Sequence, residues 1–566
     1  MNFYVMASRF VRSLVRSTWK IADGTTCHRQ LSISTRLQTI IGSPHPDLDL
    51  RKQSLPEYLF SKIDEHSPRT ALVDFESGRS YTYSQLKEYA VRIASALRKL
   101  GYKKGDIIAI HATNSPEYAI LLLALPAAGI TMTTSNSSFT AEELAKKLDL
   151  TEASCVVTTP TLLPIVMEAF RINVKIQTNI KDIITLGHVS GYKSINTLME
   201  DDGTAFPEDL QVDCENDIVV LPFSSGTTGF PKAVMLNHRC LVANLQQLSC
   251  ALQTTPDDSF LAVLPMFHVY GITVLTYYAF AGGNKLVTLP RFDPGLFLQA
   301  IQNEKISLLH LVPPMAVFMV KHPMVNDFNL SRVQRAICGA APLGETVHEE
   351  FVSKLNINLF QGYGMTEFGP AALCDEIPSN IGTVGKPVPN TLCKIVHPGT
   401  TNLITNVGES GEICHKGPQL MKGYLHNQEA TNEIVKEGWI HTGDIGYIRK
   451  DGNVVITDRV KDLIKYKAFQ IAPAELEDVL LKHPEVQDAA VIGIPDERSG
   501  EVPRAYVVRK PNCHVEEDQI RRFMKDHVAD FKLFRGGIRF TEAIPKTPSG
   551  KILRRTLRQD FLKSSY

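Results

Sequence analysis

The apolar run Ile218 to Phe223 has the length and make-up of a short buried strand. It runs directly into Ser224-Ser225-Gly226-Thr227-Thr228-Gly229-Phe230-Pro231-Lys232, which can continue neither a strand nor a helix. Gly226 and Gly229 allow tight or left-handed backbone that side chains disfavour. Successive N–H groups can then converge on an anion. The hydroxyls of Ser224, Ser225, Thr227 and Thr228 add donors, and Lys232 adds a positive charge. Polyphosphate suits such a loop. The spacing is not that of a Walker A loop, because Phe230 and Pro231 stand where a glycine must precede the lysine.

The surrounding pattern alternates helices with strands. Leu59, Phe60 and Ile63 mark one amphipathic helix. Thr82 and Gln85 have capping-box spacing before a helix with Leu86, Ala90, Ile93, Ala94 and Leu97 on one face, closed by Gly101. Ile107 to Ile110 reads as a buried strand, and a further helix begins near Pro116. Such alternation predicts a layered α/β domain.

The 566 residues exceed what one core supports. With 60 basic and 60 acidic residues the net charge is zero, so nothing in the charge points to nucleic acid as partner. The ten cysteines are scattered without a CxxC pair, which reads as reduced thiols. The longest apolar run, Ala119 to Ile130, is too short to span a bilayer and contains Pro126.

Residues 1–46 differ from the rest. Arg9, Arg12, Arg16 and Lys20 fall on one helical face, with Phe10, Val11, Leu14, Val15 and Ile21 on the other. Asp23 is the only acid before Asp47. This is the composition of a mitochondrial transit peptide, with Arg29 to Ser32 as a processing site. The final Ser564-Ser565-Tyr566 is not the peroxisomal SKL address. A mitochondrial location is expected, with peroxisome or cytoplasm as alternatives.

Further chemistry-bearing segments follow. His268 lies in Pro265-Met266-Phe267-His268-Val269-Tyr270-Gly271. Gly339-Ala340-Ala341 forms a small-residue turn after a strand. In Gln361-Gly362-Tyr363-Gly364-Met365-Thr366-Glu367, Tyr363 can stack on a base and Thr366 can donate to phosphate. Glu367 suits Mg²⁺, a hard cation that takes oxygen ligands. Trp439 to Asp444 is expected to place a carboxylate after a tight turn, where it could accept both hydroxyls of a ribose. The polar stretch from Asp458 to Gln470 is expected to separate a long N-terminal region from a small α+β block. Pro545 to Gly550 lifts Lys551 on a turn.

In this order the segments SSGTTGFPK, PMFHVYG, CGAAPLG, QGYGMTE, GWIHTGD, DRVKDLIKYKAFQIAPAELE and PKTPSGKILRR resemble those of the adenylate-forming superfamily. The likeness is to its 4-coumarate–CoA ligase and firefly luciferase branch, from about Leu55 to Arg558. The resemblance implies an N-terminal domain, 47–458, of two α/β subdomains and a small β-barrel, and a mobile C-terminal domain, 459–566. It implies that a carboxylate attacks the α-phosphate of ATP–Mg²⁺ to give acyl-AMP and pyrophosphate. A thiol, usually that of CoA, then attacks the acyl-adenylate and releases AMP. By the same resemblance Ser224 to Gly229 and Lys232 hold the β- and γ-phosphates. Gly339, Ala340 and Ala341 line the adenine and Tyr363 stacks on it. Thr366 meets the α-phosphate, Glu367 the Mg²⁺, and Asp444 with Arg459 the ribose. Gln361, Gly362, Lys461 and Lys465 complete the cofactor contacts. Lys551 bridges the two reacting anions. After a swing about Lys461, Lys467 and Ala468 line the pantetheine path, Gln470 acts in catalysis, Arg291 meets the CoA nucleotide, and His268 sits between acyl pocket and tunnel. The partners implied are a carboxylate, ATP and CoA, with the protein a monomer or weak homodimer.

The chain departs from that pattern at Ala468, where relatives usually carry glycine. Val274 stands where plant coumarate ligases have a small polar residue, and Ala371 and Ala372 read as a roomy apolar wall. A site without a polar partner cannot select a phenolic hydroxyl strongly, so an apolar acid is expected. His268 replaces the aspartate that amino-acid-activating relatives use. A luciferase-like monooxygenase and the loading of a separate carrier protein stay open as alternatives.

Overall fold

The computed structural model describes residues 40–564 except 51, 225–230, 342, 375–379, 460–461, 467–468, 497 and 548–549; the side chains of Phe469, Gln470 and Ser564 also lie outside the description. Ser225, Gly226, Thr227, Thr228, Gly229, Lys461, Lys467 and Ala468 therefore fall outside the described residues, as do the side chain of Gln470 and most of the 1–46 segment.

The first sheet is built on the parallel strands Ile107–His111, Thr131–Thr134, Cys155–Thr158, Asp182–Thr185 and Ile218–Leu221. The hairpin of Phe223–Ser224 with Lys232–Asn237 adds to its edge, antiparallel, and carries the glycine-rich segment between its arms. The second sheet has at its centre Asn358–Met365, Arg335–Cys338, Leu308–Leu311, Ser259–Ala262, Lys285–Thr288 and Thr70–Asp74, all parallel. Helices cover these sheets, and one continuous apolar core joins both. Pro116–Ala127 is buried along its whole length, which is why its sequence is apolar on every face. The expected capping box is present, and a second one precedes the first helix. Thr82 accepts from Gln85 N and the Gln85 side chain returns to Thr82 N at 2.9 Å, closing a capping box ahead of Tyr83–Lys99. Ser54 and Glu57 do the same for Leu55–Glu65.

A third, antiparallel sheet joins Leu392–Val396, Gly411–Lys416, Trp439–Ile448 and Val454–Arg459 around its own core of Cys393, Ile395, Ile413, Ile448 and Val454. It stands where the small barrel is expected. Ile40–Ile41, within the stretch set apart by its composition, adds a strand to it through Ile40↔Lys394 and Ile41↔Cys393. The fourth sheet, Val486–Asp496, Gly500–Arg509, Ile464–Tyr466, Phe469–Ile471 and Ile538–Phe540, packs with helices Pro473–Leu481, Glu517–His527 and Arg554–Ser564 around a separate core. The result is a large N-terminal part and a small C-terminal part. The polar stretch expected to separate the two parts also carries strands: Ile464 and Tyr466 are buried and Lys465 between them is exposed, the period of two of a sheet facing a core. Among the described residues no helix is long and apolar enough to cross a membrane.

The C-terminal part is tied to its last helix by Arg554. Its guanidinium takes both oxygens of Glu477, at 2.8 and 2.7 Å, and Glu477 also accepts from Val491 N at 2.7 Å. Burial pushes the Glu477 carboxyl up to about 7, against the pull of Arg554. Removing one partner of such a buried pair costs on the order of 3–5 kcal/mol. Arg554→Met is therefore expected to make the C-terminal part sensitive to limited proteolysis, and Glu477→Leu in the same chain to restore resistance. Unchanged resistance in the single variant would show the pair to be dispensable.

Candidate active site

Three neighbouring parallel strands end side by side, in the register Leu311↔Cys338↔Gln361. Their next residues, Val312, Gly339-Ala340 and Gly362-Tyr363, thus lie along one edge, the carboxyl end at which open α/β sheets bind ligands. The adjacent strand Ser259–Ala262 leads into Leu264, Pro265, His268 and Tyr270 at the same edge. Leu264, Pro265, His268, Tyr270, Gly339 and Ala340 line, with Gly271, Leu311 and Val312, a small apolar cavity of about 20 Å³. Ala340 adopts a φ of 69°, the left-handed region, at the turn expected to line a ring.

Tyr363 and Asp444 meet across this edge: the Tyr363 hydroxyl donates to Asp444 Oδ2 at 2.6 Å, and Arg459 Nε donates to Oδ1 at 3.1 Å. Burial first, and then the Asp444 charge, hold the Tyr363 phenol well above its ordinary pKa, so it stays a donor. Asp444 does not follow a tight turn. It lies within the strand Trp439–Ile448, at a bulge where Gly443 has a φ of 70°.

Glu367 and Thr366 are buried beyond Tyr363. Glu367 Oε1 accepts from the Tyr424 hydroxyl at 2.7 Å, and Tyr424 sits on a short strand paired with Val234. Among the described residues no lysine or arginine is ion-paired to Glu367, leaving a buried carboxylate whose donor chemistry fits a hard divalent cation. Lys232 Nζ lies 5.0 Å from the centre of the Tyr424 ring. Ser224 flanks the same phenol.

Lys551 reaches this cluster from the C-terminal part. Burial, aided by the Arg459 charge, lowers its ammonium to about 8; Asp444, Asp462 and Glu367 pull the other way. Its loop is closed by Thr547 N to Lys551 O at 2.8 Å and Lys551 N to Thr547 Oγ1 at 3.0 Å. Gly550, with a φ of 79°, lies so close to Pro314 that a Cβ there would stand 2.8 Å from its Cδ. Burial and then the Lys551 charge bring His268 down to about 4. Its Nδ1 accepts from Tyr270 N at 3.2 Å, so the neutral ring carries its proton on Nε2.

Several expected residues sit elsewhere. Gln361 is turned into the fold, where its Oε1 accepts from Leu343 N at 3.3 Å, so it holds the Gly339–Leu343 loop instead of facing the pocket. Val274 is buried in the π-helical turn Gly271–Tyr277. Ala371 packs with Phe368 and Ile440, and Ala372 with the core of the third sheet. None of the three lines the cavity; its apolar character comes from Leu264, Pro265, Leu311 and Val312. Arg291 and Lys465 are exposed. Tyr424, Glu412 and His441 escaped the sequence reading. A lone acid in the apolar strand sequence Gly411-Glu412-Ile413-Cys414 is the signal that could have drawn attention to Glu412.

Comparison with known proteins matches this geometry. The family model described as AMP-binding enzyme covers residues 59–425, and that of the AMP-binding enzyme C-terminal domain covers 475–551. The chain belongs to the AMP-binding enzyme family. It is 36% identical to 4-coumarate–CoA ligase 3 of Oryza sativa subsp. japonica, over 93% of this chain and 96% of the relative. To 4-coumarate–CoA ligase 1 of Petroselinum crispum it is 38% identical, over 93% and 97%. Among solved structures, ATP-bound MatB from Rhodopseudomonas palustris superposes with a TM-score of 0.81 at 27% identity, covering 90% of this chain and 98% of that one. The anthranilate CoA ligase AuaEII in complex with anthranoyl-AMP shares the fold, with a TM-score of 0.83 at 24% identity over 92% and 99%.

A lysine lowered in the fold is fully charged only below its folded pKa. In an adenylation that uses the Lys551 cation, kcat/KM is expected to fall as pH rises through about 8. A profile flat from pH 7 to well above 9 would count against that use of Lys551.

Proposed function

We propose that the protein activates an apolar carboxylic acid as its acyl-adenylate and transfers the acyl group to CoA. By family the chain is an AMP-forming acid–CoA ligase, and ATP and CoA fit as its substrates. The single observation that supports the active-site assignment best is the convergence of Tyr363 and Arg459 on Asp444, at 2.6 and 3.1 Å, with the Lys551 ammonium in the field of Asp444 and Glu367.

In the first step a carboxylate oxygen attacks the α-phosphorus and pyrophosphate leaves. Both reacting groups are anions, and a cation already in place stabilises the charge that gathers as they meet. Lys551 is that cation. Arg459 and Asp444 hold the ribose, Tyr363 stacks on the adenine beside Gly339 to Ala341, and Lys232 holds the phosphate tail with the loop from Ser224. Glu367 would hold Mg²⁺, which when bound neutralises phosphate charge. In the second step the CoA sulfur attacks the acyl carbonyl carbon, the thiol proton is lost and AMP leaves. Neutral His268 stands at the mouth of the cavity where acid and thiol meet. Lys551 has no part in this second step, so the C-terminal part, pivoting near Lys461, can withdraw it and bring Lys467, Ala468 and Gln470 to the thiol path.

The apolar side chains at this edge, Leu264, Pro265, Leu311 and Val312, support the choice of an apolar acid. Tyr270, the hydroxyl-bearing residue of that lining, has its O–H engaged with His310 Nδ1 at 2.8 Å, so its hydroxyl is not offered to a substrate's far end. Adenylation by the full chain, run with fatty, branched and aromatic acids with and without CoA and read by product mass, is expected to give acyl-CoA from apolar acids. Preference for hydroxylated aromatic acids would overturn the assignment. Lys551→Ala is expected to slow acyl-AMP formation by about 10²–10³ while leaving thioester formation from supplied acyl-AMP intact. Loss of both steps would remove Lys551 from its role.

Residues 1–46 are proposed to direct the protein to mitochondria, on their basic, acid-poor amphipathic composition. A reporter carrying them is expected in that organelle; a cytosolic reporter would overturn the proposal.

A further inference from the structure

Asp444 is held by a bulge with its own buried support. Glu412 pairs with Ile445 and Cys414 with His441, so Ile413 alone stands opposite Thr442, Gly443 and Asp444. Such a bulge interrupts the ladder and leaves backbone groups to be satisfied by side chains. Glu412 supplies that satisfaction. Its Oε1 accepts from Gly443 N at 3.1 Å, and its Oε2 lies 3.1 Å from His441 Nδ1. The Thr442 hydroxyl donates to Ile413 O at 2.7 Å and accepts from Asp444 N at 3.1 Å. Gly443 N and the Thr442 hydroxyl are thereby tied to the strand Gly411–Lys416, and Asp444 N is tied to Thr442, in a partly buried setting.

The proton of His441 can be placed. Its Nε2 is buried without a partner, whereas Nδ1 faces the Glu412 carboxylate. A proton on Nε2 would be a buried donor with nothing to receive it, so Nδ1–H donates to Glu412. Cys414 Sγ lies 3.5 Å from the same Nδ1. Burial, with the Glu412 charge, pushes that thiol up to about 12 and keeps it neutral. Glu412, Cys414 and His441 are close enough to suggest metal ligands. Both Glu412 oxygens are already committed, one to a backbone N–H, so the group works as a hydrogen-bonded brace.

We propose that Glu412 and His441 are positioning residues for Asp444, and that through it they set the preference of the enzyme for nucleotides bearing ribose hydroxyls. The proposal rests on the reading that Asp444 binds the ribose. Without the brace, Gly443 is free to leave its left-handed conformation. Asp444 then loses the aim that brings it to Tyr363 and Arg459.

The test compares ATP with 2′,3′-dideoxy-ATP in acyl-AMP formation by the full-length enzyme. Glu412→Ala is expected to lower kcat/KM for ATP by roughly 10- to 100-fold, the range for a lost hydrogen bond to a charged group, and to leave dideoxy-ATP nearly unchanged. Glu412→Gln, which keeps the shape and an acceptor for Gly443 N, is expected to fold normally and to retain most of the preference. A parallel loss with both nucleotides in either variant would overturn the proposal, because a general structural defect predicts that outcome. Stoichiometric zinc in the purified protein would overturn it as well. Asp444→Ala separates the underlying reading: if that variant still prefers ATP, the ribose assignment fails and the brace loses its meaning.

Discussion

A half-buried ammonium in the field of three carboxylates governs this site. Lys551 sits within the field of Asp444, Asp462 and Glu367, while burial and Arg459 work against its charge. Cations are seldom removed from water without anions near at hand. The cluster also links the two parts of the chain, since the lysine comes from the small C-terminal part and every group around it but Asp462 from the large one. Thr547 bonds the backbone N–H and C=O of Lys551, and Gly550 beside it fits against Pro314.

The large part serves this cation by bringing strand ends together. Four strands of one sheet finish at a common edge and deliver the His268, Val312, Gly339 and Tyr363 segments there. The hairpin from the other large sheet carries Lys232, and its neighbouring strand carries Tyr424. The antiparallel sheet adds Asp444 and Arg459 from adjoining strands, paired residue to residue. The apolar core that spans both large sheets keeps these edges in register, so distances near 3 Å are set by packing as much as by the polar contacts themselves.

Much of this was legible in the residues. The capped helix start at Thr82, the helix marked by Leu59 and Ile63, the strand at Ile107 and the helix near Pro116 follow from capping spacing and apolar period. The polar members Tyr363, Glu367, Asp444, Arg459 and Lys551 were found as motif residues, and they converge. What period and spacing cannot supply is which side chain faces which cavity. Val274, Ala371 and Ala372 look like pocket residues in sequence, and each is buried in an apolar cluster. Gln361 belongs to a glycine-rich motif but turns inward to brace a loop. Tyr424 and Glu412 act through contacts with residues 57 and 31 positions away, separations that no local pattern records. The expected turn before Asp444 is a bulge, because the backbone of Gly443 is bonded by a side chain from the neighbouring strand.

The central claim is that this cluster joins a carboxylate to the α-phosphate of ATP before any thiol is involved. Acid-dependent exchange of labelled pyrophosphate into ATP, measured on the full chain without CoA, tests it most directly. The account predicts exchange that requires an apolar acid and proceeds in the complete absence of CoA. No exchange with any acid, in an enzyme that still forms acyl-CoA when all substrates are present, would contradict an acyl-adenylate formed ahead of the thioester.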